Sequence, residues 1–155
     1  MLLPPNPANG CFGCGGANPH GMQLTFEQDD AAQRIRGKFR IGAEYQGARG
    51  FLHGGIIATL LDEVMAKVSR FQQDHAVTGE LTVEYRRPVP VGEELVVEGW
   101  EIGRDERVRI REGEIRNASG VVLARGRGKF IEVDRERFRA SVVAGSNQTA
   151  GGEKH

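Results

Sequence analysis

Asp62 is the residue in this sequence best placed to do chemistry. Residues one helical turn from it are small: Ala58, Asp62, Ala66 and Ser69 would form one strip. A single carboxylate among small residues is either partly buried or beside a cleft. Both conditions raise its pKa and prepare it to act as a base or a nucleophile. The plainer reading is a solvated acid like its neighbour Glu63. A second feature is His53-Gly54-Gly55, just ahead of the first apolar turn. The opening amides of a helix lack intrahelical partners and carry the positive end of its dipole. Two glycines there leave room for a carbonyl that gains negative charge during attack. They would serve equally for a tight loop, and His53 would serve as an ordinary helix cap.

Other reactive side chains are scattered. His20, His53, His75 and His155 form no ligand pattern, so no metal is expected. Cys11 and Cys14 have the spacing of half a zinc site, and completing it would take a second subunit or histidines from elsewhere. They read by default as an ordinary part of the N-terminal segment. Gly13-Cys14-Gly15-Gly16 lacks the lysine of a phosphate-binding loop.

The elements that must position these residues follow from periodicity. From His53 to about Phe71, Ile56, Ile57, Leu60, Leu61, Val64, Met65 and Val68 recur at helical spacing and predict one long helix. Glu63, Lys67 and Arg70 share a charged arc of it, with Glu63 and Lys67 as a weak surface pair. Alternation predicts a strand at Met22–Phe26 and another at about 34–40, separated by Asp29-Asp30. Residues 41–52 read as a glycine-rich loop. Four further strands are expected at about 77–87, 94–102, 107–116 and 121–133, joined by short turns that favour antiparallel neighbours. Gly99, Gly113, Gly126 and Gly128 fall inside strands, where glycine marks a bend or a close backbone approach. One apolar helix needs a cover, and a single curved antiparallel sheet supplies it. The fold class is therefore α+β. Residues 1–21 read as an irregular arm, 22–133 as the domain, and 134–155 as a short helix with a disordered tail after Val143.

Composition narrows the function further. The chain has 155 residues, enough for one domain. Lys plus Arg and Asp plus Glu both number 21, and zero net charge argues against a general nucleic-acid binder. There is no apolar run of membrane length and no recognisable secretory leader, so a cytoplasmic protein with reduced thiols is expected.

Phe51-Leu52-His53-Gly54-Gly55-Ile56-Ile57-Ala58-Thr59-Leu60-Leu61-Asp62-Glu63-Val64-Met65 resembles the signature of hotdog-fold acyl-CoA thioesterases, in the phenylacetate-type and thioesterase-superfamily-member branch. The run Thr78–Gly92 is similar to the same family, as are Cys11-Phe12-Gly13-Cys14-Gly15 and Asn18-Pro19-His20-Gly21-Met22. The resemblance covers about residues 11–133. It implies a hotdog fold, a curved antiparallel sheet wrapped around one central helix. It implies an acyl-CoA thioester as substrate, with coenzyme A part of the substrate and no separate cofactor. It also implies a homodimer or dimer of dimers with active sites between subunits.

Carried over by position, Asp62 is the general base or nucleophile and Gly54 or Gly55 the oxyanion amide. Thr78 is the hydroxyl that positions water, with the resemblance allowing its side chain to come from the partner subunit. Some members place Asn or Gln six residues before the histidine. Here that position is Gly47, with Gln46 beside it. His53 joins the substrate-binding set by its place in the motif. Phosphates of coenzyme A would need local positive charge, for which Arg86, Arg87, Arg125 and Lys129 are candidates, each equally readable as a solvated sheet residue. Two rivals stay open: an acyl-thioester hydratase or dehydratase, and a non-catalytic acyl-CoA-binding protein.

Overall fold

The computed structural model describes residues 1–149, with side chains as far as Ala144. Seven strands form one antiparallel sheet: β1 (Leu2–Leu3), β2 (Phe26–Asp29), β3 (Arg34–Arg40), β4 (Ala76–Tyr85), β5 (Glu94–Asp105), β6 (Val108–Asn117) and β7 (Val122–Glu132). Their spatial order is β1-β2-β3-β5-β6-β7-β4. The long helix α1 (Gly54–Lys67) packs on one face, and α2 (Arg135–Thr149) follows the last strand. The α+β architecture expected from the helix-then-strands order is present.

Ile57, Leu60, Leu61, Val64 and Met65 are the buried side of α1. The stripe continues through Val68 into a 3-10 turn, Val68–Phe71, which tightens the end of the helix. Gly99, Gly113 and Gly126 lie side by side across β5, β6 and β7. A Cβ at Gly99 would sit 3.0 Å from the Val64 carbonyl oxygen, and one at Gly126 would sit 3.2 Å from Met65. The three residues form a bare track on which α1 rests. This close approach is the reason glycine interrupts these strands.

Arg111 fixes the far end of the helix from below. It is fully buried, donates to the Met65 carbonyl at 3.0 Å, lies over the Phe130 ring, and faces Asp74 and Glu101. Burial pulls its pKa down, while the two carboxylates oppose that shift.

Three expectations need correction. The strand read at Met22–Phe26 begins only at Phe26. Gln23 has φ +50, which breaks the extended run, and the Met22 and Leu24 amides instead donate to Phe12 and Gly13 carbonyls. The N-terminal arm is not wholly irregular, because β1 pairs with β2 and Asn6 bridges Gly15. The C-terminal helix is longer than expected and runs through Thr149, past Val143. The expectation of disorder for 150–155 lies outside the described residues. Among the described residues, no helix is long and apolar enough to cross a membrane.

Candidate active site

The start of α1 is built by His53. It is the N-cap, with an extended backbone, and its Nδ1 accepts from the Gly55 amide at 2.9 Å. An accepting Nδ1 places the proton of a neutral imidazole on Nε2. The Ile56 and Ile57 amides both donate to the His53 carbonyl, at 2.9 and 3.1 Å. The sequence left Gly54 and Gly55 as equal oxyanion donors, and the cap separates them. The Gly55 amide is occupied, whereas the Gly54 amide donates to no group among the described residues. Tyr85 Oη donates to the Gly54 carbonyl at 2.8 Å. The peptide between Gly54 and Gly55 is thus held at both ends, which fixes the plane that aims the preceding amide.

Asp62 lies two turns further along α1 and is half-buried. Thr78 Oγ1 donates to its Oδ1 at 2.7 Å. Burial pushes the Asp62 pKa up, the Thr78 hydrogen bond pulls it down, and the neighbouring Glu63 charge adds a smaller upward push. A carboxylate raised in this way is a stronger base once ionised. Thr78 and Asp62 thus come as a pair from one chain.

A β-bulge makes that contact possible. The register of β4 against β7 shifts between Thr78 and Glu80, leaving Gly79 unpaired. In a regular strand Thr78 and Tyr85, an odd number of residues apart, would point to opposite faces. The extra residue puts both on the helix side, where each bonds to α1.

The remaining expected residues are placed less centrally. Gln46 is exposed and its Oε1 accepts from the Gly50 amide at 3.3 Å, so it closes its own loop. Gly47 lies against His53, with room for a Cβ only 3.1 Å from the His53 Cα. Arg86 pairs with Glu84 at 2.7 Å. Arg125 pairs with Glu112 at 3.2 Å, and Lys129 with Glu80 at 3.6 Å. Gly126 faces Leu61 and Met65 of the helix. By alternation Arg125 and Lys129 therefore point away from it, off the face that carries Asp62. Of these four cations, only Arg87 has no side-chain hydrogen bond or ion pair among the described residues.

Sequence reasoning missed a groove of about 980 Å³, which neither Asp62 nor Thr78 lines. Its lining includes Ala66 and Val77, the sequence neighbour of Thr78, together with Arg70, Arg135 and Arg139. The Ser69 hydroxyl, buried in the same groove, has no hydrogen-bond partner among the described residues. The small-residue strip was the available signal for this space. The Tyr85 contact had none, because the bulge hides it from the pattern. Glu63 and Lys67 do not form the surface pair expected of them. Glu63 accepts from the Cys11 thiol at 3.3 Å, and Lys67 donates to Cys14 Sγ at 3.1 Å.

Known proteins resemble this chain in central sequence and in fold. The profile of the thioesterase superfamily matches residues 49–124, which contain both the helix start and Asp62. Acyl-coenzyme A thioesterase THEM4 of Rattus norvegicus is 34% identical over 77 residues, 50% of this chain and 33% of that protein. Acyl-coenzyme A thioesterase 13 of Homo sapiens is 27% identical over 93 residues, 58% of this chain and 66% of that protein. The matched stretch thus spans between a third and two thirds of these relatives. The crystal structure of protein RHA08564, a thioesterase superfamily protein, superposes with a TM-score of 0.71 at 31% identity. That match covers 76% of this chain and 57% of the other. Residues 49–124 thus match the thioesterase superfamily, within the hotdog-type sheet-and-helix architecture of its solved structures.

Proposed function

We propose that the protein hydrolyses an acyl-CoA thioester to a free acid and coenzyme A. The observation that carries this reading is the pair of complementary groups on α1. Among the described residues the Gly54 amide has no acceptor, and Asp62 is held by Thr78 through Oδ1, which leaves Oδ2 for a reacting molecule. Asp62 takes a proton from water as the oxygen attacks the thioester carbonyl carbon. The carbonyl oxygen becomes an oxyanion and accepts from the Gly54 amide. The C–S bond then breaks, and the sulfur leaves as the CoA thiolate, to be protonated. Direct attack by Asp62 would form an anhydride instead. Single turnover in heavy-oxygen water identifies the anhydride route, because water that opens an anhydride at the Asp62 carboxyl carbon leaves label in Asp62, which direct attack by water never does.

The same helix implies a homodimer, or a dimer of dimers. Gly54 and Asp62 are eight residues apart, about 12 Å along a helix axis. A tetrahedral centre spans far less. The amide of one protomer must therefore work with the carboxylate of its partner. Exposed Phe51 and Tyr85 beside the helix start suit burial by a partner or an acyl chain. Arg135 and Arg139 on the groove rim are better placed for CoA phosphates than the paired cations of β7. Coenzyme A is part of the substrate, and this chemistry uses no other cofactor.

The test is thiol release from a panel of aromatic, short and long acyl-CoAs, comparing wild type with Asp62→Asn. A protein-only blank is needed because Cys11 and Cys14 react with thiol reagents. Turnover that falls by orders of magnitude in the folded variant supports the proposal. Tight binding without turnover across the panel would overturn it in favour of a binding protein.

A further inference from the structure

We propose that Cys11, Cys14 and Glu63 form a site for one thiophilic divalent cation of the zinc class. Their two sulfurs and one carboxylate oxygen lie within 4.8 Å of one another. Tetrahedral zinc with bonds of about 2.0–2.3 Å holds its ligands roughly 3.3–3.8 Å apart. A contraction of about 1 Å, within reach of side-chain rotation, therefore closes the site. Two sulfurs select zinc-like ions over magnesium or calcium, which require oxygen shells.

The loop is shaped for this cluster. Cys11 and Cys14 have the two-residue spacing of a metal-binding turn, closed by the Gly15 amide donating to the Cys11 carbonyl at 2.9 Å. A Cβ at Gly15 would meet backbone atoms of Asn9 and Cys11 at 2.3–2.7 Å. A Cβ at Gly13 would lie 2.4 Å from Glu63 Cγ. The turn therefore folds around the Glu63 side chain, and glycine is required where it does so. The charges also close. Two thiolates and a carboxylate balance a divalent ion plus the ammonium of Lys67, which already donates to Cys14 Sγ. Lys67 then acts as the outer partner that metal-bound thiolates commonly have. Binding releases the two thiol protons and leaves the fourth position to water.

The cation would be a staple rather than part of the hydrolytic chemistry. It would tie the N-terminal arm to α1 at the residue next to Asp62. The proposal does not rest on the thioesterase reading, because its test reads metal binding and not turnover.

The full chain, reduced and stripped of metal, is titrated with zinc against a chromophoric chelator, and separately with cobalt. One equivalent per chain is expected. The cobalt form should show thiolate charge-transfer absorption and the visible bands of a tetrahedral site. Cys11→Ser and Glu63→Gln, at half-buried positions, should each weaken zinc binding about 100-fold or more. Zinc should raise the melting temperature of wild type but not of Cys11→Ser. Buried Cys14 is left unaltered so that folding is not in question. Failure of wild type to compete with the chelator would overturn the proposal, as would unchanged affinity in both variants. So would a Cys11–Cys14 disulfide, seen by mass under the same reducing conditions, because a redox pair has no use for Glu63.

Discussion

Replacing Thr78 by valine separates the site's chemistry from the protein's stability. The side chain keeps its shape and its preference for a strand, but loses the hydroxyl that donates to Asp62 at 2.7 Å. Thr78 is exposed in its chain, and water can replace it at the carboxylate. Folding stability should therefore change by only about 0.5 kcal/mol. The effect on turnover is larger. A hydrogen bond to a charged group contributes about 1.5–3 kcal/mol. If that bond aims the carboxylate at the moment of attack, its loss lowers kcat by about 10- to 150-fold. Thr78→Ser keeps the hydroxyl and should recover most of the rate. The assay is steady-state thiol release from the best acyl-CoA of the panel, with urea unfolding on the same preparations. Turnover within twofold of wild type in folded Thr78→Val would refute the reasoning, since Asp62 would then need no positioning partner. A large stability loss matching the activity loss would also refute it.

Three more outcomes follow from packing and hydrogen bonding. Tyr85→Phe removes the 2.8 Å bond to the Gly54 carbonyl. It should lower kcat by about 2- to 13-fold, the equivalent of a neutral hydrogen bond of about 0.5–1.5 kcal/mol, with KM nearly unchanged. An unchanged kcat would show that the helix start holds itself. Gly99→Ala places a methyl 3.0 Å from the Val64 carbonyl, part of the helix backbone. It should destabilise by about 1–3 kcal/mol in urea unfolding, and a neutral result would mean that α1 slides freely on the sheet. Arg111→Ala removes the fully buried cation facing Asp74 and Glu101, which keep only Arg109 and Arg104, and frees the Met65 carbonyl. It should cost about 3–5 kcal/mol, read by thermal or urea unfolding.

The sequence carried the fold where its periods were unambiguous. The α1 stripe repeats every three to four residues and the later strands alternate, so the element order followed from hydrophobic spacing alone. Interior glycines marked close approach, but only the register shows Gly99, Gly113 and Gly126 as neighbours on one track. Alternation misled at Met22–Phe26, where side chains alternate but the ladder belongs to the arm. Asp62 stood out because its strip is small-sided. The choice between Gly54 and Gly55 was not legible, since it depends on which amide the His53 ring turns to cap. Thr78 and Tyr85 could not be linked by pattern, because one unpaired glycine reverses the face of the strand between them. Glu63 and Lys67 looked like a solvated pair only because spacing along a helix says nothing of the cysteines brought against it from the arm.

The placement of both reactive groups on one helix also constrains the proposed assembly. A donor at the start of α1 and a base about 12 Å along it cannot share a substrate within one chain. A head-to-tail arrangement would pair one amide with one carboxylate and leave an unused half-site at each end. An isologous pair uses the same patch twice. Gly54 of each copy then faces Asp62 of the other, and both sites are completed by one operation. Such a contact needs the helix face around Asp62 to admit a neighbour closely. Ala58 and Ala66, one turn to either side of Asp62, provide that clearance and bracket the carboxylate at the centre of the strip. The small-residue face and the catalytic carboxylate are, on this reading, two consequences of one requirement. The proposed dimer sets the base at the seam to which a second chain brings its Gly54 amide.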